Sequence, residues 1–561
     1  MLKSLVFKLV KHFPIIDSRL QLFRRRMLAR GRAYPAWNTM LAESVSATYP
    51  TAQRPVRVLI ATSIGSHVPA MQMETTLAVA LALRGAKVQA LLCDGILPGC
   101  QMCEPRFFSS SARFAKFGPS KDLCGHCFCP GRKAYLDAGI PVCAYSELLS
   151  NEDRQWVEQL ASTIPIADIE PYMLEGMPLG EHAKAGALRF FARATIDNEP
   201  CAETVLRRYF KAALLTARAV EGLLRKEHFD VAVFHHGIYV PQGVIGEVLR
   251  RRGVRVVNWN PAYRKNCFIF SHEDTYHHTL MTEPVAAWEN IKWSEIEDER
   301  ISDYLRSRWQ GENDWIRFVE NPQFGKGQIL DEIGCDPDKP IIGCLTNVMW
   351  DAQLHYPANA FINMLEWLVH TIRYFQTRPD LQLVIRVHPA EIRGAVPTKQ
   401  PVVGEIQRLF PSLPKNVFVV PPESRVSTYV LAELCDSVII YGTKTGVELT
   451  SAGIPVIVAG EAWIRNKGVT TDASSPEEYD RILASLPVGR RLDGDLISRA
   501  KKYAYHFFFR RMIPVNIFDS NSGIPLYSFN GPISKLEPGY DKGLDCICDG
   551  ILMGTPFIHD D

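Results

Sequence analysis

Two pairs of cysteines are spaced so that they could bind a metal ion. The members of the C-x-x-C pairs are Cys100, Cys103, Cys124 and Cys127, with twenty residues between the pairs. This spacing predicts a structural zinc site in which each pair forms a tight turn and aims two thiolates at one ion. Two alternatives stay open: an iron–sulfur cluster, because Cys129 adds a nearby thiol, and unrelated buried thiols. His126 is expected to lie in the second turn without binding the ion.

A second group of residues has the chemistry of a phosphate site. Arg386 and His388 belong to the run RVHP, where a predicted strand ends. A cation and an imidazole at the carboxyl end of a strand suit a phosphate-bearing ligand. The alternative is a structural histidine at a capped strand end.

A glycine-flanked loop, GTKTG at residues 442–446, follows another predicted strand and leads into a helix. The hydroxyls of Thr443 and Thr445, with the charge of Lys444, suit a phosphate cradle. The loop does not fit the GxxxxGK[ST] pattern, so an ATP-type P-loop is not supported. Glu448 falls one turn into the helix, where its carboxylate is placed to hold ribose hydroxyls.

Further polar residues are expected at the same edge of this second region. Ser427 and Thr428 open a helix just after Glu423, as an anion site or as ordinary N-caps. Arg465 and Lys467 follow a later strand and add two cations. Together these groups favour a nucleotide-sugar site over any single alternative.

Four residues are candidates for a base that deprotonates an acceptor hydroxyl. His67 lies in the loop after the first strand, and Glu74 lies about one turn into the next helix. His236 precedes a glycine after a later strand, and Asp351 follows the first strand of the second region. For His67, a histidine that only caps a helix is the alternative. No DxD pair appears at a clear strand end, so metal-independent chemistry is expected.

The secondary-structure elements that must position these residues follow a βαβ pattern. Residues 56–61 read as a strand, a helix is predicted over 68–84, and a strand follows at 87–93. The second region has predicted strands at 341–345, 381–387, 417–420, 437–441 and 455–459. We therefore predict an α/β protein with two doubly wound Rossmann-type domains facing a cleft, with the zinc loop inserted in the first.

The predicted divisions follow from these elements. They are a basic amphipathic segment over residues 1–50, a first Rossmann-like acceptor domain over 51–285 with a cysteine-rich loop at 98–131, a helical connector over 286–337, a nucleotide-sugar domain over 338–490, and a C-terminal helix and tail over 491–561.

Charge and composition narrow the function classes. The net charge of +2 gives no case for a nucleic-acid partner. Residues 1–32 hold nine Lys or Arg and one acid, interleaved with apolar residues, which suits a segment lying on an anionic membrane. A solvated basic helix is the alternative. Because no secretion signal or membrane span is visible, we expect a cytoplasmic protein, peripheral on the inner membrane.

The runs RVHP at 386–389, YGTKTGVE at 441–448 and GIPVI at 453–457 resemble the bacterial capsule polysaccharide biosynthesis family, which includes Kdo transferases. The resemblance implies a GT-B fold, a donor such as CMP-Kdo in the C-terminal domain, and peripheral membrane attachment. It implies that His388 contacts the leaving phosphate as an acid, and that Glu448, Ser427 and Thr428 hold the nucleotide. The cysteine pairs depart from this pattern, which bears on the identity of donor and acceptor.

The expected activity is transfer of a sugar from a nucleotide donor to a surface polysaccharide or its lipid-linked acceptor. Two other classes stay open. One is another enzyme using the same nucleotide site, either a polyol-phosphate transferase or a sugar epimerase. The other is a non-catalytic scaffold in capsule assembly.

Overall fold

The computed structural model describes residues 34–42, 54–104, 108, 110–310, 322–323, 325–351, 357–394, 396–519 and 527–560. The basic segment predicted over residues 1–32 lies outside these ranges. No helix in the described ranges is long and apolar enough to cross a bilayer.

The strands of the described residues fall into two sheets. Their bounds are β1 Arg57–Ser63, β2 Lys87–Leu92, β3 Val142–Ala144, β4 Val231–His235, β5 Arg255–Pro261, β6 Cys267–His272, β7 Ile341–Leu345, β8 Gln382–Arg386, β9 Val417–Val420, β10 Ser437–Ile440, β11 Val456–Val458, β12 Thr471–Asp472 and β13 Ile513–Pro514.

Helices connect and cover these strands. The α-helices are α1 Trp37–Ala42, α2 Val68–Leu83, α3 Ser111–Phe117, α4 Lys121–Asp137, α5 Tyr145–Leu148, α6 Asn151–Thr163, α7 Leu179–Phe191, α8 Ala202–Lys226, α9 Gln242–Arg251, α10 Tyr276–Thr282, α11 Glu295–Gln310, α12 Lys326–Ile333, α13 Met364–Gln376, α14 Ala390–Arg393, α15 Val402–Leu409, α16 Thr428–Leu434, α17 Thr445–Ser451, α18 Pro476–Ala484, α19 Gly494–Tyr505 and α20 Lys542–Met553. Short 3₁₀ turns lie at Ile166–Asp168, Val285–Ala287 and Ile533–Leu536, and a π-turn at His506–Arg510 extends α19.

The first sheet has seven strands in the order β13-β6-β5-β4-β1-β2-β3. Strands β1 to β5 pair in parallel, whereas at one edge β6 pairs antiparallel with β5 and β13 pairs antiparallel with β6. From β1 the chain first builds toward β3 and then returns to β4 on the other side. This reversal is a topological switch point, where open α/β sheets bind ligands outside the carboxyl ends of the strands.

The second sheet repeats this plan with six parallel strands in the order β12-β11-β10-β7-β8-β9. Its switch point lies between β7 and β10. The strands are mostly continuous buried runs, as parallel sheets covered on both faces require. The predicted α/β class with parallel sheets is therefore confirmed.

The C-terminal segment returns to the first sheet after the second is complete. Strand β13 pairs with β6, and Arg84 of α2 forms an ion pair with Asp545 of α20. Arg255 of β5 donates to the carbonyl of Gly550 at 2.9 Å. The chain therefore crosses between the two sheets twice.

Candidate functional site

The first switch point gathers histidines from two strand ends. The ring of His67, in the loop after β1, lies 4.9 Å from that of His235, the last residue of β4. The ring of His236 follows at 5.5 Å from His235. Because His67 makes no side-chain cap bond to α2, the alternative role as a helix-capping side chain is not what the structure shows.

The local backbone sets the direction of His236. This residue has a φ of +73°, in the left-handed region where histidine is enriched among non-glycine residues. Its Nδ1 is buried without a hydrogen-bond partner among the described residues. Burial, with the nearby charges of His277, Arg189 and His67, holds the pKa of His236 well below its ordinary value, so the ring is neutral at pH 7.

Glu74 lies beneath this cluster, in the core. Its side chain is fully buried, and its Oε1 accepts a hydrogen bond from Trp259 Nε1 at 2.9 Å. Burial raises the pKa of Glu74 to about 7, against the hydrogen bonds that stabilise the carboxylate. Glu74 is therefore buried beneath the histidine cluster and is not exposed at the sheet edge.

The second switch point holds the predicted glycine-flanked loop. Asn347, after β7, donates to the Gly442 carbonyl at 2.6 Å. The hydroxyls of Thr443 and Thr445 lie 3.2 Å apart, and both side chains are half-buried. The two hydroxyls therefore lie next to each other in the loop, on side chains that are only partly buried.

Glu448 sits in a buried ion cluster that sequence analysis did not foresee. Its Oε1 accepts from Arg308 Nη2 at 2.9 Å and from Lys444 Nζ at 2.6 Å, and its Oε2 pairs with the hydroxyl of Tyr429. Burial alone raises the pKa of Glu448, but Arg308 and Lys444 outweigh it and hold the pKa at about 2. Burial and the Arg308 charge lower the pKa of Lys444 to about 8, although Glu448 opposes the shift. Both carboxylate oxygens of Glu448, the residue predicted to hold ribose hydroxyls, thus already have partners within the protein.

His388 is half-buried beside this loop. Its Nδ1 accepts from the backbone N–H of Ala390 at 3.0 Å. Burial, followed by the charges of Lys444 and Arg386, lowers the pKa of His388 to about 4. The ring is therefore neutral at pH 7, and because Nδ1 accepts, the proton resides on Nε2.

The other predicted cations are buried and bound to backbone. Arg386 donates to the carbonyls of Val387, Pro421 and Ser424 at 2.6 to 3.2 Å. Arg465 donates to the carbonyls of Gly460 and Ala473 and to Ser474 Oγ. Lys467 donates to the carbonyls of Met281 and Glu283, both at 3.1 Å. All three tie loops together in this structure.

Of the three residues predicted around α16, one caps the helix and the other two are partly or fully exposed. Ser427 is the N-cap, and its Oγ accepts from the Val430 N–H at 3.5 Å, which is the capping alternative. Thr428 is half-buried and Glu423 is exposed.

The carboxyl edges of the two sheets face each other. The hydroxyl of Tyr239, after β4, donates to Asp351 Oδ1, after β7, at 3.0 Å. The guanidinium of Arg189 lies 5.1 Å from the Tyr239 ring and 5.5 Å from that of Trp350. Lys444 Nζ lies 4.8 Å from the ring centre of Tyr263, which follows β5. Because the ring of Tyr239 also lies 5.0 Å from that of His236, the histidine cluster is on the side of the first sheet that contacts the second.

The cysteine pairs lie on the same edge of the first sheet. All four predicted cysteines line one cavity of about 40 Å³, and the structure adds a fifth, Cys93, directly after β2. The Sγ atoms of Cys100 and Cys103 are 3.9 Å apart. None of the fourteen cysteines forms a disulfide. Across the described residues, no three or more His, Cys, Asp or Glu side chains stand in metal-binding geometry.

The prediction of two tight turns is wrong for the second pair. Cys124 and Cys127 lie inside α4, where Ser120 caps the helix and residues three apart share a face. His126 is exposed, and its Nδ1 contacts the carbonyl of Asp122 at 2.8 Å, away from the cavity.

No protein-family model and no curated protein matches the chain. Among solved structures, KpsC of Thermosulfurimonas dismutans, a beta Kdo 2,4 transferase, matches with 12% identity over 49% of this chain and 79% of that chain, at a TM-score of 0.34. A beta Kdo 2,7 transferase KpsC of that organism matches with 15% identity over 54% and 84%, at 0.32. UDP-GlcNAc 2-epimerase from Neisseria meningitidis matches with 10% identity over 86% and 98%, at 0.23. At these TM-scores the matches carry no argument about activity.

Proposed function

We propose that this chain is a glycosyltransferase that moves a sugar from a nucleotide donor to a glycan or glycolipid acceptor, on a GT-B-type fold. One observation carries the proposal: two doubly wound sheets meet at their switch points, with a cluster of imidazoles on one side and a hydroxyl-rich loop on the other. Two facing switch points give one pocket for each substrate.

The donor site is proposed at the second switch point. Thr443, Thr445 and the backbone of the loop would bind the diphosphate or monophosphate, and the Nε2–H of His388 would donate to the leaving oxygen. Lys444 supplies positive charge, shared with Glu448. Because Arg386, Arg465 and Lys467 hold backbone carbonyls, we assign them the support of this edge, without direct contact to phosphate.

The acceptor site is proposed at the first switch point. The base is His67 or His236, because both lie at strand ends on the edge of the first sheet that contacts the second through Tyr239 and Asp351. A base here would take the acceptor proton as the hydroxyl attacks the anomeric carbon and the nucleotide leaves. This chemistry needs no metal ion at the reacting atoms.

The finer assignment rests on the residue pattern at 386–389 and 441–448. It names a CMP-Kdo-like donor, a capsular or surface polysaccharide acceptor, and attachment to the cytoplasmic face of the inner membrane through residues 1–32. A structural zinc at Cys100, Cys103, Cys124 and Cys127 is a separate proposal, supported by their common cavity and by the four-thiolate set that zinc prefers. The zinc content of the purified chain tests it.

Thermal shift tests the donor site. Wild type, Thr443→Val and the control Thr377→Val are heated with CMP, CDP, UDP, GDP and ADP. Thr377 is exposed, and its hydroxyl contacts the Tyr374 carbonyl near the amino end of β8. A nucleotide at 100 times its Kd adds about 2.7 kcal/mol. We expect one nucleotide to stabilise wild type and Thr377→Val but not Thr443→Val. Absence of any shift would move the assignment to a scaffold.

Kinetics test the acceptor side. His67→Gln, or His236→Asn, which suits the left-handed backbone, should lower kcat by about 10²- to 10⁴-fold without changing the thermal shift by nucleotide. Full activity after single changes at His67, His236, Glu74 and Asp351 would overturn this list of bases.

A further inference from the structure

The thiol cavity touches the loop that carries His67. The backbone N–H of Ser66 donates to Cys127 Sγ at 3.2 Å. Within the same lining, the N–H of Gly95 donates to Cys93 Sγ at 3.4 Å. Amide donors of this kind stabilise the negative charge of a metal-bound thiolate and orient the ligand.

The spacing of the two sulfurs in the first cysteine pair suits one ion, although the two pairs together do not stand in metal-binding geometry without it. Two thiolates at about 2.3 Å from a tetrahedral zinc are about 3.8 Å apart. The observed 3.9 Å between the sulfurs of Cys100 and Cys103 is close to this value. An iron–sulfur cubane binds one cysteine per iron and so separates its thiolates further. Cys124 and Cys127 present a second pair from one turn of α4 to the same cavity.

The loop and α4 are in backbone contact. A Cβ atom at Gly65 would lie 2.3 Å from the carbonyl oxygen of Cys127, and one at Gly131 would lie 2.8 Å from the Cα of Gly65. Two glycines thus allow the helix with the second cysteine pair to rest directly on the loop. Any shift of the helix is transmitted to residues 62–67 without an intervening side chain.

We propose that the cavity binds a single thiophilic divalent cation and that this ion fixes the loop over residues 62–67, so that His67 keeps its position at the sheet edge. The ion links α4 to the segment that carries Cys100 and Cys103. Helix α4 in turn holds the loop over residues 62–67 through the Ser66–Cys127 bond and the Gly65–Gly131 contact. This inference does not depend on which group the protein transfers.

The first test is metal binding by the full chain. Chelated protein is titrated with Co²⁺, which reports tetrahedral thiolate ligation by its visible absorption, and then with Zn²⁺ in competition. We expect one ion per chain for wild type and for Cys129→Ser, whose cysteine is exposed on the same helix. Cys127→Ser should lose the thiolate absorption or weaken binding at least about tenfold. Equal binding by Cys127→Ser would overturn the site.

The second test is hydrogen exchange over residues 62–67, with β8 as an internal reference for global unfolding. Removal of Zn²⁺ from wild type should speed exchange of the loop by about 5- to 30-fold, the factor of one net hydrogen bond or slightly more, and leave β8 unchanged. Equal loop exchange with and without Zn²⁺ would overturn the link to the loop, whatever the transferase assays show.

The third test uses the reciprocity of coupling. If binding of the ion stabilises the loop, a distorted loop must lower the affinity for the ion by the same factor. Gly65→Ala, which forces the loop from α4, should therefore lower Zn²⁺ affinity about tenfold. Gly125→Ala is the matched control, since a Cβ between Cys124 and Cys127 meets no atom within 4 Å. Equal affinity of both variants would contradict the proposal.

Discussion

At the carboxyl edge of the first sheet the predicted histidines are only partly buried, whereas at the edge of the second sheet most predicted cations are buried and bound to backbone carbonyls. His67 and His236 are half-buried beside His235. Arg386, in contrast, is only 2% exposed and donates to three carbonyls. A long cation at a strand end reaches the orphan carbonyls of neighbouring loops, which must find donors once buried. The shorter side chains of His67 and His236 remain half-buried at the sheet edge.

The largest test of this comparison is Glu448→Gln. The change leaves Arg308 and Lys444 without their buried counter-charge, which should cost about 3 to 5 kcal/mol in the free energy of unfolding. Denaturant titration measures it. The control is Glu405→Gln, whose partner Arg408 is 62% exposed, and which should cost at most about 1 kcal/mol. Similar losses in both variants would mean that the cluster adds nothing beyond a surface pair.

The variant Arg386→Met distinguishes a structural role of Arg386, which is to bind backbone carbonyls, from a role in binding the nucleotide. Because the guanidinium satisfies one buried and two partly buried carbonyls, the variant should lose about 2 to 4 kcal/mol of stability. Its nucleotide affinity, corrected for stability, should stay within about threefold of wild type. A variant that is stable but no longer binds nucleotide would return Arg386 to the donor site, and Arg408→Met is the exposed control.

The pH dependence of stability tests the buried state of His388. Its pKa of about 4 lies below the ordinary 6.5, because of burial and then the charges of Lys444 and Arg386. The unfolded chain therefore takes up the proton first, and stability is lost as the pH falls from about 6.5 to about 4. Between pH 7 and pH 5 wild type should lose about 2 kcal/mol more than His388→Gln. Equal losses in denaturant titrations at the two pH values would show that the ring titrates normally.

The smallest expected effect is that of Tyr239→Phe. The change removes the hydroxyl that donates to Asp351 across the two edges and keeps the ring against Arg189. We expect a loss of about 0.5 to 1.5 kcal/mol by denaturant titration. Tyr374→Phe removes a hydroxyl near the amino end of the second sheet and serves as the control. A loss above that range would show that the two edges depend on this bond.

Local pattern was sufficient to predict most of the second sheet. Strands predicted at 341–345 and 417–420 have the bounds of β7 and β9, because continuous apolar runs between turns are what a buried parallel strand requires. Strands β3 and β13 were missed, since three and two residues carry no periodicity. The return of β13 to the first sheet depends on pairing with β6, far away along the chain.

The site was predictable as a set of positions but not as a set of partners. The loop at residues 442–446 and the histidine at 67 lie at switch points, where the order of strands placed them. The role of Glu448 was not predictable, because Arg308 is separated from it by 140 positions in a connector helix. Cys93 was overlooked because it stands alone, outside any C-x-x-C spacing, and joins the cavity only through the fold.

The return of β13 and α20 to the first sheet has a consequence for biosynthesis. Residues 57–272 leave the ribosome with an open sheet edge and with the face of α2 uncovered, until residues 513–553 have also been made. The second sheet, whose strands all lie between residues 341 and 472, has its full set of strands before that moment. Although multidomain chains commonly fold from the N-terminus onward, the half of this chain that is translated first is the half that is completed last.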